Sequence, residues 1–332
     1  MIPDEVSVLA AARDFLGQGE AVALVTLVNR RGSAPRSLGS QMVISGQGNC
    51  VGSLTGTGCA DQLIVHEALE AIRVDRNRWL RLGAGSAYLD IRLPCGADVE
   101  FYIDVRTDGD SLANLLELHE VRRPVALEID TRASTSRVVI DAETIPPPEG
   151  VFRRWLYPRQ RLVVIGQGLN AMALSQVAVA SGHEVMMFSP DAGTLEVAAQ
   201  AGAATFELPT ARAFACPAPD PWTAAVTMFH DHDWEMPILK SLLGSRCYYL
   251  GALGSHRTHA RRLEHLHEQG LGDWAESLHG PAGLAIRAQT PSEIALSILA
   301  EMTRAYRSVD RPLLVPGSGS LRDVRSCPPA LS

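Results

Sequence analysis

The chain has 332 residues, 46% of them hydrophobic and 20% charged, with a formal charge of −7. That length exceeds one typical domain of roughly 100 to 200 residues, so two globular units with separate cores are expected. The acidic balance excludes a general nucleic-acid binder, whose phosphate contacts need Lys and Arg, and no apolar run approaches the roughly 18 residues of a membrane span.

The opening residues, Met1-Ile2-Pro3-Asp4-Glu5-Val6, lack the positive region and apolar core of a secretory signal, so the cytoplasm is the expected location. Six cysteines are scattered without a CxxC pair, unlike a disulfide framework or a structural zinc site. Reduced thiols are therefore expected.

Taken in chain order, residues 5–16 read as a helix, and the β-branched and aliphatic run 21–28 as a buried strand. Gly32-Ser33-Ala34-Pro35 is turn chemistry, followed by a short strand at 41–44. Cys59 closes the segment Thr55-Gly56-Thr57-Gly58 and stands at the start of an amphipathic helix over 60–72. Cys95 lies in a turn made by Pro94 and Gly96, between extended stretches at 87–93 and 99–105. A hairpin-like pair, 124–130 and 137–141, completes the first domain. The prolines at 146–148 read as an extended spacer that donates no amide hydrogens.

The second half alternates: strand 161–165, helix 169–181, strand 184–188, helix 193–201, strand 223–229, helix 234–243, strand 247–250, helix 256–269. Such alternation predicts a parallel sheet with helices on both faces. Thr290-Pro291-Ser292-Glu293 predicts a capped start to a last helix. The expected plan is α/β throughout. An N-terminal α/β domain spans 1–142, a Pro-rich linker 143–157, a Rossmann-like doubly wound parallel sheet 158–307, and a disordered tail 308–332.

In an open parallel sheet the ligand crevice lies beyond the carboxyl ends of the strands. Gly166-Gln167-Gly168, His230-Asp231-His232-Asp233 and Gly251-Ala252-Leu253-Gly254-Ser255 all fall there. Glycine lets backbone N–H groups approach a phosphate at a helix start, where the dipole favours negative charge. Ala171 satisfies the third position of a dinucleotide fingerprint. Ser189 stands where a ribose-binding acid is expected, however, and Asp191 comes two residues late. His230 and His232 can move protons or bind metal, but a catalytic zinc needs three protein ligands and no third is evident. The basic helix carrying Arg257, Arg261, Arg262 and four histidines reads as mostly solvated, with residues 255–257 as anion contacts. Each of Cys59 and Cys95 reads either as a soft thiolate for a metal–sulfur centre or as a small buried hydrophobe.

Together these motifs resemble the xanthine dehydrogenase accessory factors, the XdhC/CoxI family. Gly32–Pro35, the run 52–59 and Pro94-Cys95-Gly96 are similar to its front-domain segments. The run 165–168, His230–His232, the run 251–255 and the run 290–300 are similar to its Rossmann-domain signatures. The resemblance implies a chaperone carrying the molybdenum cofactor (molybdopterin) as cargo. It implies support for the cofactor's sulfuration with a cysteine desulfurase, and delivery to a molybdenum hydroxylase of the xanthine oxidase type. A homodimer stays open; neither nucleic acid nor membrane is expected as a partner. On this reading Cys59 and Cys95 contact the molybdenum or its sulfur. Gly166, Gly168, His230, His232, Gly254 and Ser255 line the cofactor site. Two departures stand out: the turn before Cys59 is one residue longer than the family's, and Ser189 replaces an acid. The rival readings are an NAD(P)-dependent oxidoreductase using the same sheet, with His230 or His232 as acid or base, and a purely structural assembly factor.

Overall fold

A computed structural model describes residues 5–32, 36–56, 58–83, 86, 88, 98–140, 146–229, 231–309 and 311–317. Residues 33–35 of the first turn motif, Cys95 with its turn, His230, and the tail from 318 onward lie outside the described residues. Two compact units divide the chain. The first takes its described residues from Met1–Pro158 and Pro312–Ser332, the second from Arg159–Arg311.

In the first unit the elements run α1 (Glu5–Gly17), β1 (Val22–Arg31), β2 (Gln41–Ser45), β3 (Cys50–Val51), α2 (Gly58–Arg73), β4 (Arg78–Leu82), β5 (Asp98–Asp104), α3 (Gly109–Glu120), β6 (Val125–Asp130), β7 (Thr135–Ile140) and β8 (Val151–Leu156). An antiparallel sheet of order β3-β2-β1-β5-β4 has β1 at its centre. The continuous apolar run of β1 follows from burial on both faces. Ala23, Val25 and Leu27 pack with Ala60, Ile64 and Ala68 of α2, whereas Val22, Leu24 and Val28 pack with Leu9 of α1 and Leu115 of α3.

Residues 151–156, expected in the linker, instead form β8, which pairs antiparallel with β6. Two consecutive arginines make this strand look exposed, and both are buried because they find partners. Arg153 presents two N–H groups to Glu128 Oε1 at 3.0 and 2.7 Å, while Arg137 presents two to Oε2 at 2.9 and 2.7 Å. Arg154 is fully buried, pairs with Glu5 at 2.7 Å, and donates to the carbonyls of Gly39 and Trp155.

Burial by itself would raise the Glu128 carboxyl, but the hydrogen bonds and charges of Arg153 and Arg137 outweigh it and hold the group below its ordinary value of 4.5. A carboxylate depressed in the folded state contributes stability above its unfolded value and loses it as pH falls through the folded one. Acidification from about pH 6 to about pH 3 should therefore lower the urea midpoint of this unit. In Glu128→Gln the slope of midpoint against pH should be visibly shallower, as read by parallel denaturation curves.

The second unit runs β9 (Arg161–Gly166), α4 (Leu169–Ala180), β10 (Glu184–Ser189), α5 (Ala192–Ala201), β11 (Ala204–Glu207), a 3-10 turn (Ala211–Ala213), β12 (Thr223–Met228), α6 (His232–Leu242), β13 (Tyr249–Ala252), α7 (His256–Glu268), α8 (Gly272–Ala275), β14 (Leu278–His279) and α9 (Pro291–Arg307). All six strands are parallel, in the order β11-β10-β9-β12-β13-β14, a doubly wound Rossmann-type sheet. Buried Val164 and Val226 face Leu174 of α4 and Ile298 of α9 on one side; Val163 and Ala225 face Leu239 of α6 and Leu266 of α7 on the other. The capping box holds: Glu293 N–H donates to Thr290 Oγ1 at 3.3 Å, and Thr290 N–H to Glu293 Oε2 at 3.0 Å. A last strand, β15 (Leu314–Pro316), returns to the first unit as the outer neighbour of β8 in a sheet ordered β15-β8-β6-β7. No helix among the described residues is long and apolar enough to cross a membrane.

Candidate functional site

Chain order reverses between β9 and β12, the switch point at which such sheets open a ligand crevice. The described site residues expected from sequence in this unit gather at that edge. Gly166 ends β9 and pairs in register with Met228 of β12; Gly168 precedes α4; His232 is the first residue of α6 and is exposed; Gly254 and Ser255 follow β13. The three contributing strands are neighbours, so one crevice rim carries all of them.

Two glycines there are demanded by geometry. A Cβ on Gly166 would meet the side chain and backbone of Met228 at 2.7–2.8 Å. Gly168 has φ +83°, a left-handed value, with open space where a Cβ would go. The helices beginning at this edge differ in their caps. Asp191 caps α5, Asp231 caps α6 and Ser255 caps α7, each accepting a backbone N–H, whereas α4 has no side-chain cap. An uncapped amino end beside a glycine turn offers N–H donors and the positive helix dipole to an anion.

The end of β10 is built differently from a ribose site. Ser189 is fully buried and its Oγ accepts from Asp191 N–H at 3.1 Å. Asp191 Oδ2 accepts from Thr194 N–H at 2.7 Å and Thr194 Oγ1 at 2.6 Å, bonds that hold this carboxyl below its ordinary value. Thr194 Oγ1 in turn accepts from Gly168 N–H at 3.0 Å. The acid nearest the expected ribose position is thus spent on capping α5 and bracing the glycine turn.

Beneath the rim lies a buried ion pair that the sequence alone does not reveal. Arg262 donates through Nε to Glu235 Oε2 at 2.9 Å, and through Nη2 to Glu235 Oε1 at 2.8 Å and to Leu253 O at 3.0 Å. Thr227 Oγ1 donates to Glu235 Oε1 at 3.2 Å. One network therefore fixes β12, α6, the loop after β13, and α7. The sequence places Arg262 with the solvated face of its helix, yet it is fully buried. The readable signal is its spacing from Leu266, four residues on and also buried. His259, next to it, has its pKa lowered by burial first and then by the charges of Arg262 and His256.

In the first unit Cys59 is the second residue of α2 and is exposed, so the buried-hydrophobe reading does not apply to it. The loop before it is pinned from the helix. Asp61 Oδ1 accepts from Leu54 N–H at 3.2 Å, Thr55 N–H at 3.0 Å and Thr55 Oγ1 at 2.9 Å, and Oδ2 accepts from Ser53 Oγ at 2.6 Å. Gly56 N–H donates to Ser53 Oγ at 3.2 Å. By contrast, burial pushes the half-buried Cys216 thiol up to about 11, out of the reactive range. Asp61→Asn removes the charge from four accepted hydrogen bonds and should cost the first unit about 2 kcal/mol. Loosening of the loop should appear separately, as an altered rate of Cys59 labelling by a disulfide reagent in native buffer. Among the described residues no group of three His, Cys, Asp or Glu is placed to hold a metal ion.

A doubly wound sheet with an anion-receptive glycine turn at its switch point defines a Rossmann-type ligand-binding unit, joined here to a second α/β unit. A family model described as XdhC Rossmann domain matches residues 162–302, and one described as XdhC and CoxI family matches residues 15–83. The molybdenum cofactor insertion chaperone PaoD of Escherichia coli (strain K12) is 33% identical over 319 residues, covering 95% of this chain and 93% of that protein. A probable xanthine dehydrogenase component of Bacillus subtilis (strain 168) is 24% identical, covering 88% of this chain and 95% of that protein. A crystal structure described as a xanthine dehydrogenase from Bacillus halodurans shares the fold, with a TM-score of 0.72 at 19% identity over 91% of this chain and 96% of that one. The chain belongs to the XdhC and CoxI family.

Proposed function

We propose that this protein binds the molybdenum cofactor, supports its sulfuration with a cysteine desulfurase, and delivers it to a molybdenum hydroxylase of the xanthine oxidase type. The observation that carries this reading is the near full-length likeness to a protein named as a molybdenum cofactor insertion chaperone. The residues fit such a cargo. The uncapped start of α4 behind Gly166 and Gly168 suits a pterin phosphate. The exposed thiol of Cys59 suits a soft metal–sulfur group. Cys95, His230, His232, Gly254 and Ser255 are proposed as further contacts.

Purification from cells that make the cofactor, followed by assay of bound pterin and molybdenum, tests the proposal. Both should co-purify, and Cys59→Ala should retain about 10-fold less molybdenum. Recovery of neither from cofactor-replete cells overturns it. An NAD(P)-dependent oxidoreductase is disfavoured by the buried Ser189 and the engaged Asp191. Saturable NADH binding with substrate-dependent loss of its absorbance would reinstate that reading.

A further inference from the structure

The second unit carries an open groove of about 800 Å³ between the 3-10 turn, α6 and α7, apart from the glycine turn. Its charge is lopsided. Arg212, Lys240 and Arg261 line it, each exposed, and Asp233 is the single carboxylate among its lining residues. Among the described residues none of the three cations forms an ion pair. In a chain of net charge −7, an uncompensated local excess of this kind is a directed feature of the surface. The floor is apolar: Trp234 is half-buried and stacks on Phe229 at 5.3 Å, and Met236 lies beside it, buried.

The arrangement separates two kinds of anion. A tight phosphate site converges its hydrogen-bond donors on one spot. Here all three cations are exposed and sit on three different elements. Along α6 the lining runs from His232 to Lys240, eight positions further on and hence about 12 Å along the helix axis. Exposed charges carried on three elements around an open, partly apolar trough match a row of carboxylates better than a point anion. We infer that this groove docks an acidic segment of a partner protein, with electrostatics drawing the segment in and Trp234 giving it apolar contact. Docking there does not rest on the cargo proposal, although His232 borders both this groove and the proposed cofactor site.

Binding of a fluorescein-labelled oligoglutamate peptide, followed by anisotropy, is the test. The full chain should bind it saturably and a neutral peptide of equal length weakly or not at all. Raising salt from about 0.05 to about 0.5 M should weaken binding about 10-fold. Reversing the groove, Arg212→Glu with Lys240→Glu and Arg261→Glu, should raise Kd about 10-fold or more. Arg76→Glu with Arg287→Glu and Arg307→Glu makes the same change in net charge elsewhere and should shift Kd less than about twofold. Asp233→Asn removes the opposing carboxylate and should tighten binding about twofold, a gain that no misfolded variant can imitate. Cys59→Ala should bind the peptide as the parent does, so that loss of cargo and loss of docking are told apart. Equal loss in both triple variants overturns the inference. So does displacement of the peptide by millimolar inorganic phosphate or pyrophosphate, which would assign the groove to a small anion.

Discussion

Replacing Glu235 by alanine is expected to destabilise the second unit by about 3–5 kcal/mol, because it strands a guanidinium in a place water cannot reach. Arg262 is fully buried, and without Glu235 its best remaining partner is the carbonyl of Leu253 at 3.0 Å. The pair itself need not be strongly stabilising, since desolvating two ions offsets most of their attraction. Glu235→Met combined with Arg262→Leu should therefore recover most of the loss, and Glu235→Gln should fall between. Urea denaturation, followed by fluorescence in a background that keeps Trp234 and replaces the other four of the five tryptophans by phenylalanine, reads the change beside Phe229, on which the Trp234 ring stacks. A single-variant cost below about 1 kcal/mol would mean that the network is more open to solvent than its geometry states.

Gly166→Ala should cost about 3 kcal/mol and abolish cargo retention. Its Cβ would lie 2.7–2.8 Å from Met228, and two of the three atoms it meets are backbone, which has no rotamer to retreat into. Because Gly166 and Met228 pair in register, relief requires β9 and β12 to part at the crevice itself. Gly168→Ala meets nothing but must adopt φ +83° with ψ −172°, a conformation essentially reserved for glycine, at a penalty of about 1–3 kcal/mol. If cargo retention survives in the alanine variant at 166 but fails at 168, the phosphate cradle lies farther along α4 than proposed.

The features legible in the sequence were those whose cause is local. Alternating strand and helix periods, the capping box at Thr290 and the glycine turn after β9 are each set by residues within a few positions of one another. The unread features depend on distant partners. Val151-Phe152-Arg153-Arg154-Trp155-Leu156 looks like an exposed spacer until Arg153 meets Glu128, 25 residues back, and Arg154 meets Glu5. Asp61 looks like an ordinary acid in a first helical turn until the loop 53–56 is seen folded onto it. Glu235 sits among Trp234, Met236, Ile238 and Leu239, a run whose apolar character hid the one charge that needed explaining. The crevice rim followed the same rule: the glycine turn on it could be read, whereas the groups bracing that turn could not.

The pairing of β15 with β8 has a consequence for how the protein is made. Synthesis delivers the amino-terminal unit first, yet one outer strand of its second sheet is encoded after the whole Rossmann-type unit. Until residues 314–316 emerge, β8 presents an open row of backbone donors and acceptors, the kind of edge that invites pairing with a neighbouring nascent chain. A stop codon placed just after Arg311 would spare every element of the later unit and injure the earlier one. The damage should show as aggregation during expression, with the Rossmann-type fold still intact.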